Sequence, residues 1–349
     1  MIALLIALAC TPAPKPPAEP PPPATAPAPA EPPPVTVPAG RLLHVTEGGP
    51  VPTVAVVSTD GAGAQVLGAF TGSAFPGEPD PTGEAALVVT SEDEGDTHRE
   101  QLWLVPFAGG EPTALTPPAG MVRNPSWAPG GRWLVFESDA RSYRDLYRAD
   151  RAGGAPRRLT DEKHGSFEPA VSPDGRKIAF GSSRDGNAEV YVMVADGTGA
   201  RRLTNHPADD VRPRWSPSGD RIAWLSSRDG MPRVWISAAD GSGAHALRPP
   251  AKAVDLDLAW SSRGELAVVE QVGPTEVRIV VLAGDGSQRA VLDGPGVDEH
   301  PSWSPDGTWL AFTSSRAGDP DVWVGAADGS AVHRVTTSDS PEWLPRWVR

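Results

Sequence analysis

The chain has 349 residues, with 44 acidic against 31 basic side chains and a formal charge of −13. That balance argues against a nucleic-acid partner, which calls for a basic face. A single cysteine excludes an intramolecular disulfide, and no apolar run reaches the about 18 residues of a membrane-spanning helix.

Met1–Ala9 is apolar and leads into Cys10. Ala7-Leu8-Ala9-Cys10 resembles a bacterial lipobox, although the leader lacks basic residues and carries Ala three places before the cysteine. Residues 1–10 are therefore expected to be a lipoprotein-type signal segment, with Cys10 as the lipidated residue and the membrane reached through that lipid. Thr11–Gly40 follows with 14 prolines in 30 residues. Such a stretch builds no core and favours polyproline II. Fully extended it spans about 90 Å, which suits a tether.

From residue 41 the chain repeats itself. Copies start at Pro125, Pro169, Pro213, Leu258, Pro301 and Pro345, spaced 44, 44, 45, 43 and 44 residues apart. A period of about 40–45 residues with several short strands per unit predicts a β-propeller. In the copy from Pro169, Ser172-Pro173-Asp174-Gly175 is a tight turn: Pro fixes φ, Asp bonds its own backbone, and Gly takes the left-handed corner. Ile178–Gly181 and Glu189–Val194 read as strands, Asp196-Gly197-Thr198-Gly199 as a hairpin, and Arg202–Thr204 as the outer strand. Four antiparallel strands make a blade, and blades must stack to bury their faces.

Residues 41–70 lack an innermost strand, and Leu344–Arg349 supplies one. The prediction is a closed ring spanning 41–349, its last strand pairing with the first blade. Seven four-stranded blades are counted, in an all-β propeller; six would remain if the weakest stretch, 75–116, is no blade. In that stretch Pro81-Thr82-Gly83 replaces the usual turn, and Ser91–Glu100 reads as a swollen loop. Its acidic run, Glu92 to Asp96, reads as solvated rather than as a calcium site.

Trp127, Trp215, Trp260, Trp303 and Trp347 recur at one blade position and are expected to pack between blades. Arg184, Arg228 and Arg316 recur in a Ser-Ser-Arg loop. They are expected to tie to carboxylates such as Glu189 and Asp321, with one failure where Arg233 replaces the acid.

The face that carries those loops and the blade connections is polar and acidic. The opposite face carries only tight hairpins. His164, Glu168, His206, Asp210, Arg212, Asp257, Glu299, His300 and Glu342 are the candidate partner-binding residues, converging on the mouth of the central channel. Such a rim suits a protein or peptide partner and is compatible with a divalent cation. No Gly-x-Ser-x-Gly, His-Glu-x-x-His or paired-Cys motif occurs, so no catalytic residue, resident metal or cofactor is assigned. The alternatives are a lyase or hydrolase with an acidic and histidine metal site in the channel, and a saccharide-binding module using exposed Trp such as Trp343.

The unit P-x-W-S-P-D-G…I-A-F…S-S-R-D-G…V-[YW]…D-G…L-T resembles the TolB-like, WD40-like β-propeller repeat of bacterial envelope proteins, best at Ser172–Gly175, Ser216–Gly219 and Ser304–Gly307. The resemblance covers about 41–349. It implies the propeller fold and a cell-envelope, periplasmic or extracytoplasmic, location. It does not carry over a partner, because TolB has an α/β domain where this chain has the proline-rich stretch. The expectation is a monomeric, non-catalytic, lipid-tethered propeller that binds an envelope protein or peptide at its loop-rich face.

Overall fold

The computed structural model describes residues 36–348 except 69, 71, 95, 96, 142, 250 and 251. Residues 1–10, where a signal segment ending at Cys10 is expected, and most of the proline-rich stretch lie outside the described residues.

Every named element is a strand, and the strands form seven antiparallel sheets of four. Blade 1 runs from Glu342–Val348 through Arg41–Thr46 and Thr53–Ser58 to Gln65–Val66. Leu42 pairs with Trp347, and Leu43 with Arg346. The last strand of the chain thus completes the first blade. The innermost strands touch one another in order round the ring, and Glu342–Val348 contacts both Asp298–Trp303 and Ser73–Pro79. A ring closed this way leaves no innermost strand exposed as an edge.

The apolar core is divided among the blade interfaces. Seven clusters of buried side chains each draw on two adjacent blades. The repeated Trp acts here. The indoles of Trp127, Trp215, Trp260 and Trp303 each donate a hydrogen bond to a carbonyl on the inner strand of the preceding blade, at 3.0–3.3 Å. Each ring adds buried area and a satisfied N–H to the same seam.

The turns follow the residues. The Gly175 amide donates to the Ser172 carbonyl at 2.8 Å, and Asp174 accepts from both the Ser172 hydroxyl and the Arg176 amide. Gly286 sits at φ +85°, where an added Cβ would lie 1.9 Å from the Leu247 carbonyl oxygen.

Two expectations need correction. The 75–116 stretch is a full blade as counted, but its swollen loop is a long hairpin: Ala85–Glu94 pairs with Thr97–Pro106 as far as Glu94 opposite Thr97. Glu92 faces Arg99 and Asp93 faces His98 across that ladder. Opposite charges across two strands extend the pairing where the sequence looked like loop. The Ser-Ser-Arg arginines, moreover, do not reach the acids of the third strand. Arg228 pairs with Asp210 and Arg316 with Asp298, each the first residue of its own blade's inner strand. The same guanidiniums lie over Trp235 and Trp323, at 4.1 and 5.1 Å from the ring centres. Arg184 bonds the Ser166 hydroxyl and pairs with Glu162.

Glu189 and Asp321 pair instead with Arg202 and Arg334 on the outer strands. The recurring Leu-Thr explains itself here, since the Thr204 hydroxyl bonds Glu189 and accepts from the Val190 amide. Where Arg233 replaces the acid, Arg248 replaces the Thr. Asp255 and Glu270 of the next blade then hold Arg248.

Candidate functional site

Seven inner strands line an axial channel, and their backbone is irregular at one shared register. Asn124, Glu168, Arg212, His300 and Leu344 all have positive φ, from 47° to 56°. Each precedes a proline and lies within the span where its strand shifts register against the next. Left-handed non-glycine backbone costs on the order of 1–3 kcal/mol and persists only where the surroundings impose it. The X-Pro bulge is therefore a repeated device.

Three of the predicted residues come together at this register. The Arg212 guanidinium lies 3.4 Å from Glu168 and 3.2 Å from Asp257, and also donates to the Leu256 carbonyl. The Arg212 amide donates to Glu168 at 2.7 Å. One step back, the Glu168 amide donates to Glu137, which also accepts from the Asn124 side-chain amide. Glu137 is buried, and burial raises its pKa above the usual carboxylate value. A belt of bonds thus links the inner strands of blades 3 to 6.

His300 sits at the same X-Pro register in blade 7. Burial, with help from Arg346 and Arg212 and against Asp257, pushes its pKa down to about 4. The ring is neutral at neutral pH and faces the Thr313 hydroxyl at 3.5 Å. Glu299, beside it, is raised by burial.

The remaining candidates lie elsewhere. Asp210 is buried in the wall with Arg228. Glu342 is buried opposite Thr46 of blade 1, where its charge acts on the buried His44. His206 is tied into its own connection: its amide donates to Glu189 and its Nδ1 accepts from the Ala208 amide. His164 is exposed on the connection before blade 4. Among the described residues no three His, Cys, Asp or Glu side chains are placed to hold a metal ion, and Glu168 and Asp257 are engaged by Arg212 instead.

Sequence reasoning missed the next register inward. There Arg214 and Arg346 line a cavity of about 490 Å³ together with Glu78, Ser126 and Ala170. Burial lowers the Arg346 pKa; Glu78 and Asp257 oppose that shift and Arg214 adds to it. The signal was present in Pro-Arg-Trp at 213–215 and 345–347, where the sister copies have Pro-Ser-Trp, Pro-Ala-Val or Leu-Ala-Trp.

An all-β ring of seven blades with a polar, charge-lined axial channel defines a binding or catalytic propeller. Residues 161–292 match the family model described as the TolB beta propeller domain. A TolB homolog of Chlorobium luteolum is 40% identical over 72 residues, covering 20% of this chain and 16% of that protein. The Tol-Pal system protein TolB of Bordetella pertussis is 34% identical over 55 residues, 16% of this chain and 13% of its own length. The matches thus span a small part of these curated relatives. Among solved structures, TolB from Acinetobacter baumannii aligns with TM-score 0.58 and 18% identity over 88% of this chain and 66% of that one. An oligogalacturonate lyase in complex with manganese aligns with TM-score 0.63 and 14% identity, over 87% and 85% of the two chains. At such identities the structural likeness shows the fold alone. The chain is a seven-bladed β-propeller whose residues 161–292 resemble the TolB propeller domain.

Proposed function

We propose that this propeller is a non-catalytic scaffold of the bacterial cell envelope that binds a protein or peptide where the blade connections meet the channel. The observation that carries the reading is the interlocked belt of Glu168, Arg212 and Asp257 on strained backbone at the channel wall. It displays fixed charges and hydrogen-bonding groups without a nucleophile–base pair, an arrangement that serves recognition. The TolB relatives named for the Tol-Pal system support an envelope setting. The lipobox-like Cys10 and the proline-rich stretch support a lipid tether to the membrane.

The test is a photo-crosslinking amino acid placed in living cells at His164, on the connection side, and at Asp196, in an opposite-face hairpin. Specific adducts from the first position and none from the second are expected. Equal adducts from both, or none from either, contradict the reading. Mass spectrometry of the mature N-terminus for a diacylglyceryl Cys10 tests the tether separately.

A further inference from the structure

Arg214 and Arg346 occupy equivalent places in two blades, each one residue before the interface Trp. Their strands, Asp210–Trp215 and Glu342–Val348, are separated by two inner strands one way round the ring and three the other. They therefore stand on opposite sides of the channel and line the same cavity. Sister copies place Ser126, Ala170, Ala259 and Ser302 at this register, and blade 2 places Glu78 there, so four of the seven positions carry small side chains.

What separates these two from the arginines of the loops and outer strands is the lack of a partner acid. Arg228, Arg316, Arg202 and Arg158 each hold a buried carboxylate. Among the described residues, neither Arg214 nor Arg346 has a carboxylate within salt-bridge distance. Each donates instead to the carbonyl of the proline just before it, at 3.1 Å. A guanidinium has five N–H donors in a fork shaped for a carboxylate, so most of that capacity faces the cavity unused. A cation held in a wall without its counter-charge is costly unless something else supplies the charge.

The local charges set the ligand's valence. Three arginines and Glu78 line the cavity; Arg123 is neutralised by Glu100, and Arg214, Arg346 and Glu78 leave one positive charge in excess. A single carboxylate neutralises that excess, whereas a doubly charged phosphate would overshoot it. At the mouth Glu168 and Asp257 both turn onto Arg212, whose single charge offsets one of the two.

We propose that Arg214 and Arg346 together bind a monocarboxylate in the channel, either the free C-terminus of a peptide or a small carboxylic acid. The proposal rests on the reading of the channel as a binding surface and gives that surface a ligand chemistry.

The test is calorimetric titration of the full chain with acetate, inorganic phosphate, and an uncharged-side-chain hexapeptide carrying either a free or an amidated C-terminus. Saturable binding of the free-acid peptide or acetate is expected, weakened at least about tenfold in both Arg214→Gln and Arg346→Gln. Both variants should keep or exceed the parent melting temperature, which separates lost binding from lost fold. A free-acid peptide much tighter than acetate assigns the site to a chain end, and equal affinities assign it to a small acid. Absence of saturable binding up to about 10 mM, equal binding of the amidated peptide, or phosphate bound more tightly than carboxylate overturns the proposal. If crosslinking at His164 persists in Arg346→Gln while carboxylate binding fails in the parent, the carboxylate assignment alone is lost.

Discussion

Arg228 and Arg316 belong to the repeat, whereas Arg214 and Arg346 depart from it. The first pair sits in the loop that recurs blade after blade, each on the buried acid that starts its own inner strand and over the aromatic of its third strand. The second pair sits where most copies have Ser or Ala, and neither has a partner acid. The contrast separates two uses of one residue type. At consensus positions arginine closes the blade; at departures it faces the channel. Consensus positions should therefore be costly to change, and departures should be cheap in stability.

The largest effect is expected from deleting Glu342–Val348, which removes the inner strand of blade 1 and opens the ring. The truncated chain should be aggregated or unfolded at 37 °C, as read by circular dichroism and size-exclusion chromatography. A melting curve like the parent's would break the closure on which the whole architecture depends. Next is Trp303→Ala, which removes an interface indole and its bond to the Ala259 carbonyl. About 3–5 kcal/mol should be lost in urea unfolding. Arg228→Gln leaves Asp210, fully buried, without its counter-charge, and should cost about 3 kcal/mol.

A smaller effect concerns pH. The folded His300 pKa, near 4, lies below its unfolded value. The unfolded chain therefore binds the proton first on acidification, and the stabilisation is complete above about pH 6.5 and lost progressively as pH falls toward 4. With partial solvent exposure, about 1–2 kcal/mol is expected over that window. His300→Gln should flatten this part of the stability–pH profile relative to the parent. An unchanged difference between the two proteins from pH 7 to 4 would show that His300 titrates normally.

The fold was legible because repetition multiplies weak signals. One Ser-Pro-Asp-Gly turn is a local hint, but the copies at Ser172, Ser216 and Ser304 fix a period, and the period fixes blades. Even the missing strand of blade 1 could be read from the stump at Pro345. The long hairpin of blade 2 was illegible because its polar run, Ser91–Glu100, imitates a loop. It is held by cross-strand charge pairing that a single-strand pattern does not display. The site was only partly legible for a related reason. Strand alternation assigns faces only while the register holds, and the bulge at the X-Pro step shifts it. Asp210 consequently falls in the wall rather than at the mouth, while Arg214 and Arg346 enter the channel. The motif could not point to them, since a consensus describes what blades share.

The most direct test sets Arg346→Gln beside Arg316→Gln in thermal melts at neutral pH without added carboxylates. Arg316→Gln should melt well below the parent because Asp298 is left buried and uncompensated. Arg346→Gln should melt at or above the parent because it removes a partly buried cation with no acid within salt-bridge distance among the described residues. Equal losses in the two variants would contradict the division between arginines that hold the ring and arginines that face a ligand.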